Sequence, residues 1–158
     1  MVEARRATEQ DAEELGRLRE GMWAALNDDS TPSDSAWRQD GIYALRKRLA
    51  EPERTLTAYV VDQPDRPGGL AACVIGTIDA RLPSPHNPGG QTGYVMSVST
   101  DPEYRRRGYS RACMTALLAW FTERGITSIS LNASAEGRPL YESLGFALTR
   151  DPSMRLMR

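Results

Sequence analysis

Cysteine and histidine are scarce in this chain, with two of the first and one of the second among 158 residues. Cys73 and Cys113 stand inside apolar runs without metal-ligand spacing, which argues against a disulfide framework or a metal centre and leaves them as small, reduced core residues. Neither has a recognisable neighbouring histidine, so a cysteine-nucleophile mechanism is disfavoured. An excess of charge is also missing. With 20 basic and 21 acidic residues the net charge is -1, which provides no global field for nucleic acid or an anionic membrane, and any anion must be met by a local cluster. No apolar run is long enough to span a bilayer, and the charged start, Met1 to Arg6, is unlike a signal peptide. These absences lead to the expectation of a cytoplasmic protein with no metal and no nucleic-acid or membrane partner. The composition, 40% hydrophobic and 26% charged, suits one self-supporting domain over residues 1–158, and no repeat, low-complexity tract or linker divides it.

What is present is a clear succession of elements. Thr8-Glu9-Gln10-Asp11 resembles an N-cap, and Leu15, Leu18, Met22, Ala25 and Leu26 recur at helical spacing, predicting a first helix over about 9–27. A polar stretch from Asn27 to Asp34 precedes a second helix marked by Trp37, Ile42, Tyr43, Leu45 and Leu49 and stopped by Pro52. Thr55 to Val61 and Leu70 to Leu82 read as a β-hairpin around a Pro/Gly-rich turn, and residues 83–93 as a long loop before the strand Tyr94 to Ser99. A helix over Arg111 to Arg124, capped by Gly125, leads to a strand over Ser128 to Ala133, so the order implies a crossover within an α/β sheet. A short helix, Arg138 to Leu144, ends at Gly145, and Phe146 to Leu148 with Met154 to Met157 suggest a final antiparallel pair.

The most informative segment is the turn between strand and helix, Arg105-Arg106-Arg107-Gly108-Tyr109-Ser110. Unpaired N–H groups and the positive dipole end converge at a helix start, so a phosphate placed there gains several charge-assisted hydrogen bonds. Gly108 lets the backbone approach a ligand closely, small Ser110 keeps the entrance open, and the arginines add positive charge. A bare run of arginines is more often a solvated face, but Pro102 before it and the apolar helix after it give this one a strand-turn-helix setting. The Lys-Ser/Thr pair of a Walker loop and the three glycines of a dinucleotide fingerprint are both missing, which argues against nucleotide hydrolysis and hydride transfer.

This turn resembles the acetyl-CoA signature of the GNAT acyltransferases, Arg/Gln-x-x-Gly-x-Gly/Ala, with serine in the final small position. Downstream, Leu140-Tyr141-Glu142-Ser143-Leu144-Gly145-Phe146 is similar to that family's Leu-Tyr-x-x-x-Gly-Phe segment. The resemblance covers about Tyr94 to Phe146. It implies a mixed α/β (α+β) fold with a splayed central sheet flanked by helices, with acetyl-CoA as cosubstrate and an amine of a small molecule or peptide as acceptor. By the same resemblance, Arg105, Arg106, Arg107, Gly108, Tyr109 and Ser110 hold the CoA pyrophosphate, Val98 and Thr100 pair with the pantetheine arm, and the Val98 N–H polarises the acetyl carbonyl. Tyr141 matches the acid that protonates the departing thiolate, and Ser134 stands where many members place a cofactor-contacting asparagine. Dimerisation is common in the family, but no specific interface is legible here.

Direct transfer needs a route for the amine proton, and the general base is not apparent. The strand Tyr94-Val95-Met96-Ser97-Val98 carries no carboxylate, which leaves Tyr94, Glu136 and His86 as candidates beside their simpler readings as strand aromatic, helix cap and exposed loop residue. Trp23, Trp37, Tyr43 and Tyr94 are candidate acceptor contacts, and Asp28, Asp29 and Asp34 candidate attractants for a cationic amine. At their spacing the aromatics also suit core packing. Two further readings stay open: a degenerate domain that binds CoA as a sensor or scaffold, and an enzyme using a longer or carrier-bound acyl group.

Overall fold

The chain enters its first helix through a capping box. The Thr8 amide donates to Asp11 Oδ2 at 2.8 Å and Thr8 Oγ1 accepts from the Gln10 amide at 3.3 Å, giving a 3-10 turn over Glu9–Asp11 and then α1, Ala12–Leu26. The computed structural model describes residues 2–26 and 36–158, so the connection carrying Asp28, Asp29 and Asp34 lies outside the described residues. Beyond it come α2 (Ala36–Leu49), β2 (Leu56–Asp62), β3 (Leu70–Ala80), β4 (Gln91–Thr100), α3 (Tyr109–Glu123), β5 (Ile129–Leu131) and α4 (Arg138–Ser143); a two-residue β1, Arg5–Arg6, precedes α1. The sheet runs in the order β1-β2-β3-β4-β5, antiparallel except for the parallel pair β4–β5 that α3 connects.

Two apolar layers enclose this sheet. Leu15, Leu18, Ile42, Leu45 and Leu49 of α1 and α2 bury against Ala58, Val60, Cys73 and Ile75 on one face. Cys113, Met114, Leu117, Trp120 and Phe121 of α3 bury against Ala72, Val74 and Val95 on the other. The unbroken apolar run of β3 follows from this double coverage, because alternate residues must satisfy opposite cores. Both cysteines are wholly buried, and burial pushes the Cys73 thiol up to about 12 and raises that of Cys113 further, so the core reading of both holds. Among the described residues no helix is long and apolar enough to cross a membrane.

Two expectations need correction. The loop before β4 is shorter than expected, because the Arg81 amide donates to Gly90 O at 2.6 Å and extends the β3–β4 hairpin to Gln91. The final antiparallel pair does not form: residues after Ser143 contain no strand, and Leu148, Met154, Leu156 and Met157 are 70%, 96%, 76% and 80% exposed. Each proposed strand has only three or four residues, Pro152 interrupts the return, and apart from Phe146, which packs on Tyr141, neither segment gains a packed face to offset the ordering entropy.

The close seat of α3 on the sheet depends on a glycine. A Cβ at Gly93 would lie 2.7 Å from Phe121 Cε1 and 2.9 Å from Cζ, and the Phe121 ring, fully buried, has no room to retreat. Gly93→Ala should therefore destabilise the protein by about 1–3 kcal/mol through overpacking, lowering Tm by roughly 2–10 °C. Thermal melts of the two proteins test this, and an unchanged Tm would show that α3 can shift.

Candidate functional site

The site begins with an irregularity in β4. Ile75 pairs with Ser97 and Gly76 with Val95, leaving Met96 as the extra residue of a bulge. On the far side of the bulge the Asp101 amide donates to Ala71 O at 2.8 Å. By the alternation of an antiparallel ladder, Ser99 and Ser97 also bond toward β3, while Val98 and Thr100 turn their N–H and C=O groups toward β5. Pairing with β5 stops at Val95↔Leu131. The two strands part there, and the polar edge of Val98 and Thr100 faces a cleft instead of a neighbouring strand.

The turn that follows is shaped to deliver a helix N-terminus to the same cleft. Asp101 caps a 3-10 turn at Pro102–Tyr104, Arg106 has φ 63°, and Gly108, the N-cap of α3, has φ 79°. No side chain caps α3, so its first amides lack an intrahelical acceptor. Ser110 Oγ meets Thr100 Oγ1 at 2.5 Å and ties the helix start to the end of β4. Tyr104 bonds through its hydroxyl to Asp65 in the β2–β3 turn and stacks on Tyr109 with centroids 6.2 Å apart. Arg107 lies over the Tyr104 ring at 5.0 Å.

Tyr141 arrives from the opposite wall on α4. The helix ends in a Schellman motif, with the Phe146 amide donating to Tyr141 O at 3.0 Å and the Gly145 amide to Glu142 O at 3.1 Å. Gly145 supplies the required φ of 101°. The reversal sets Phe146 edge-on against the Tyr141 ring at 6.2 Å, so Tyr141 is only 8% exposed. Its other face abuts Gly137, where a Cβ would approach Tyr141 Cε2 to 2.8 Å. Burial raises the pKa of the phenol above its ordinary value, keeping it protonated at neutral pH.

Helix α1 supplies the remaining wall and a brace. Arg17 donates to Glu14 Oε2 at 2.6 Å, to Asp101 Oδ2 at 2.9 Å and to Leu70 O at 3.0 Å, joining α1, β3 and the end of β4. Burial alone would raise the Glu14 pKa, but hydrogen bonds from Arg17 and the Leu70 amide, with the charges of Arg17 and Arg66, hold it below the ordinary 4.5. Nearby, Arg19 Nε donates to Ser97 Oγ at 3.3 Å. No local sequence signal marked these contacts, because their partners are distant in the chain.

Together these elements enclose a cavity of about 850 Å³. Of the residues singled out from the sequence, Val98, Thr100, Arg105, Arg106, Gly108, Tyr109, Ser110, Ser134, Tyr141, Trp23 and Tyr94 line it. Arg107, Trp37 and Tyr43 do not: Arg107 covers Tyr104, while Tyr43 is 68% exposed on α2. Ser134 Oγ accepts from the Gly137 amide at 3.1 Å, and Asn132 Nδ2 donates to Tyr94 Oη at 3.2 Å. Among the three candidate bases, Tyr94 and Glu136 line the cavity, while His86 lies in the exposed β3–β4 connection. Among the described residues no group of three or more His, Cys, Asp or Glu side chains converges as a metal site.

Comparison with known proteins agrees with this geometry. A family model described as acetyltransferase (GNAT) family matches residues 17–146. A solved predicted acetyltransferase with acetyl-CoA from Clostridium acetobutylicum shares 22% identity and a TM-score of 0.82, covering 99% of this chain and 96% of its own. A GCN5-related N-acetyltransferase from Ralstonia eutropha shares 27% identity at TM-score 0.82, with 99% of each chain covered. An aminoglycoside N-acetyltransferase in complex with CoA has the same fold at 16% identity and TM-score 0.74, covering 100% of this chain and 95% of its own. No curated protein matches the chain.

The brace has a pH signature. Because the folded pKa of Glu14 is depressed, its stabilisation is present above the unfolded value, about 4.3, and is lost as pH falls through the folded one. The Tm should fall on acidification below about pH 4.5, and Glu14→Gln should reduce that slope while starting from a lower Tm. Parallel Tm–pH curves for the two proteins would remove Glu14 from this role.

Proposed function

The chain belongs to the GNAT acetyltransferase family, and from that premise we propose that it is a single-domain enzyme transferring acetyl from acetyl-CoA directly to an amine of a small molecule or peptide. The observation that carries this reading is the convergence of three donors on one cleft: the unpaired β4 edge at Val98 and Thr100, the uncapped N-terminus of α3, and the buried Tyr141. This donor set fits acetyl-CoA. Free amides at a helix start with Arg105 and Arg106 beside them suit a pyrophosphate, and an unpaired strand edge suits the amide groups of a pantetheine arm.

In this reading the amine attacks the thioester carbonyl while the Val98 N–H donates to the oxygen on which negative charge develops. The carbon–sulfur bond then breaks, and the Tyr141 hydroxyl gives its proton to the sulfur. A phenol with a raised pKa is fully protonated where the reaction runs, so it needs no separate tuning as an acid. The ammonium proton leaves through Tyr94 or Glu136, the two candidate bases that border the cleft. Holding both substrates in one cleft supplies much of the acceleration.

Two experiments test the reading. Tyr141→Phe should lower kcat by roughly 100-fold or more with little change in acetyl-CoA affinity, and equal turnover would exclude Tyr141 as the acid. Gly108→Glu, which forces a side chain and negative charge into a left-handed turn position, should abolish CoA binding by calorimetry; unchanged affinity would move the pyrophosphate elsewhere. CoA binding without thiol release across an amine panel would favour the sensor or scaffold alternative.

A further inference from the structure

Arg19 is a desolvated cation without a carboxylate partner among the described residues. Its guanidinium is held by one neutral contact, Nε to Ser97 Oγ at 3.3 Å, and Ser97 itself is 2% exposed. The contrast with Arg17, two residues earlier on the same helix, is direct: Arg17 is neutralised by Glu14 and Asp101. Burial lowers the pKa of Arg19, whereas the ion pairs of Arg17 raise its own. Withdrawing a guanidinium from water without a counter-charge is unfavourable, and a structural role alone would be served by a neutral side chain.

The neighbouring helix accommodates this group specifically. A Cβ at Gly41 would approach Arg19 Nη1 to 2.9 Å, so α2 carries a glycine in its interior, at about 1 kcal/mol against alanine, where the guanidinium needs space. The position also matters. Arg19 lines the large cleft on its α1 side, and its anchor Ser97 immediately precedes Val98 on β4. Among the described lining residues the carboxylates are Asp101, engaged by Arg17, and Glu136, against Arg17, Arg19, Arg105, Arg106, Arg111 and Arg155. Of these, Arg105 and Arg106 belong to the proposed pyrophosphate turn and Arg17 is already paired, so on the α1 wall, among the described residues, a cationic acceptor meets a charge of its own sign at Arg19. An anionic one meets an unneutralised guanidinium.

We propose that Arg19, oriented by Ser97 and accommodated by Gly41, binds an acceptor carboxylate, so that the preferred acceptors are small amines bearing a carboxylate rather than polycationic amines. The proposal rests on the acetyltransferase reading for its turnover, but the contact itself is a binding event and is measurable without chemistry. The two Nη groups, without a hydrogen-bond partner among the described residues, are suited to a bidentate carboxylate.

The experiment uses matched pairs that differ only in that group: a panel of amino acids and their carboxamides in a thiol-release assay, and the corresponding N-acetyl amino acids and N-acetyl amino acid amides in calorimetry with CoA present. The wild type should favour the acid of a pair by roughly 10–100-fold in kcat/KM, the range expected of a charge-assisted hydrogen-bonded pair. Arg19→Gln should reduce that ratio to near unity, mainly through KM, and Arg19→Lys should restore part of it. The Tm of Arg19→Gln should equal or exceed that of the wild type, since a half-buried charge with no carboxylate partner among the described residues is removed, and this separates loss of recognition from loss of fold. If no amine is turned over while N-acetyl amino acids still bind in an Arg19-dependent way, the enzyme reading fails and this inference stands. Equal handling of acids and amides by the wild type, a ratio that survives Arg19→Gln, or binding of no N-acetyl amino acid would overturn it.

Discussion

A β-strand in the interior of a sheet must satisfy hydrogen bonds on both edges, and β4 does so on only part of its length. Its β3 edge is paired from Gln91 to Thr100, while its β5 edge is paired only from Gly93 to Val95. The bulge at Met96 falls where that second pairing ends. Because a bulge inserts one residue, it also exchanges which residues face which edge, and Val98 and Thr100 acquire the unpaired side. Strand edges with free polar groups are a liability unless something covers them. In the proposed function the covering group is the cosubstrate, and the cleft opens because β5 is only three residues long.

Such an opening must be held apart, and the structure does this from three directions. Arg17 bridges Glu14 and Asp101 and sets the end of β4 against α1 and β3. The Tyr104 hydroxyl and Asp65 connect the arginine turn to the β2–β3 turn. The Schellman reversal after α4 presses Phe146 against Tyr141 on the far wall. Arg106, between the Tyr104 anchor and the start of α3, holds the left-handed conformation that favours glycine. Two apolar cores on opposite faces of the sheet then make the frame rigid independently of the cleft.

What could be read from the sequence follows from this division. Gly108 and Gly145, two of the glycines with positive φ, mark turns that bound the cleft-lining helices, and backbone geometry restricts residue type locally enough to leave a motif. Periodicity gave the helices and the central strands for the same reason, since burial on one face or two acts on neighbouring residues. The bulge at Met96 left no trace, because any residue can be the extra one in a strand of this kind. The terminal pair of strands was misread because Phe146 to Leu148 and Met154 to Met157 have strand-like composition, yet beyond Phe146 their large apolar side chains stay exposed. Composition reports what a segment tolerates, and tertiary contact decides what it does.

The two halves of the cleft differ in the same respect. Its donor side is built from main-chain amides at the β4 edge and the α3 start, which persist through most side-chain changes and need only a few small residues. The side proposed for the acceptor is built from side chains of α1 meeting side chains of β4, separated by 78 residues in the case of Arg19 and Ser97. Only the fold brings such pairs together, so no local window could contain the signal. Neither Arg19 nor Trp23 belongs to a buried apolar cluster. A wall of this kind is free to change its charge, and therefore its acceptor, while the donor half and the frame stay as they are.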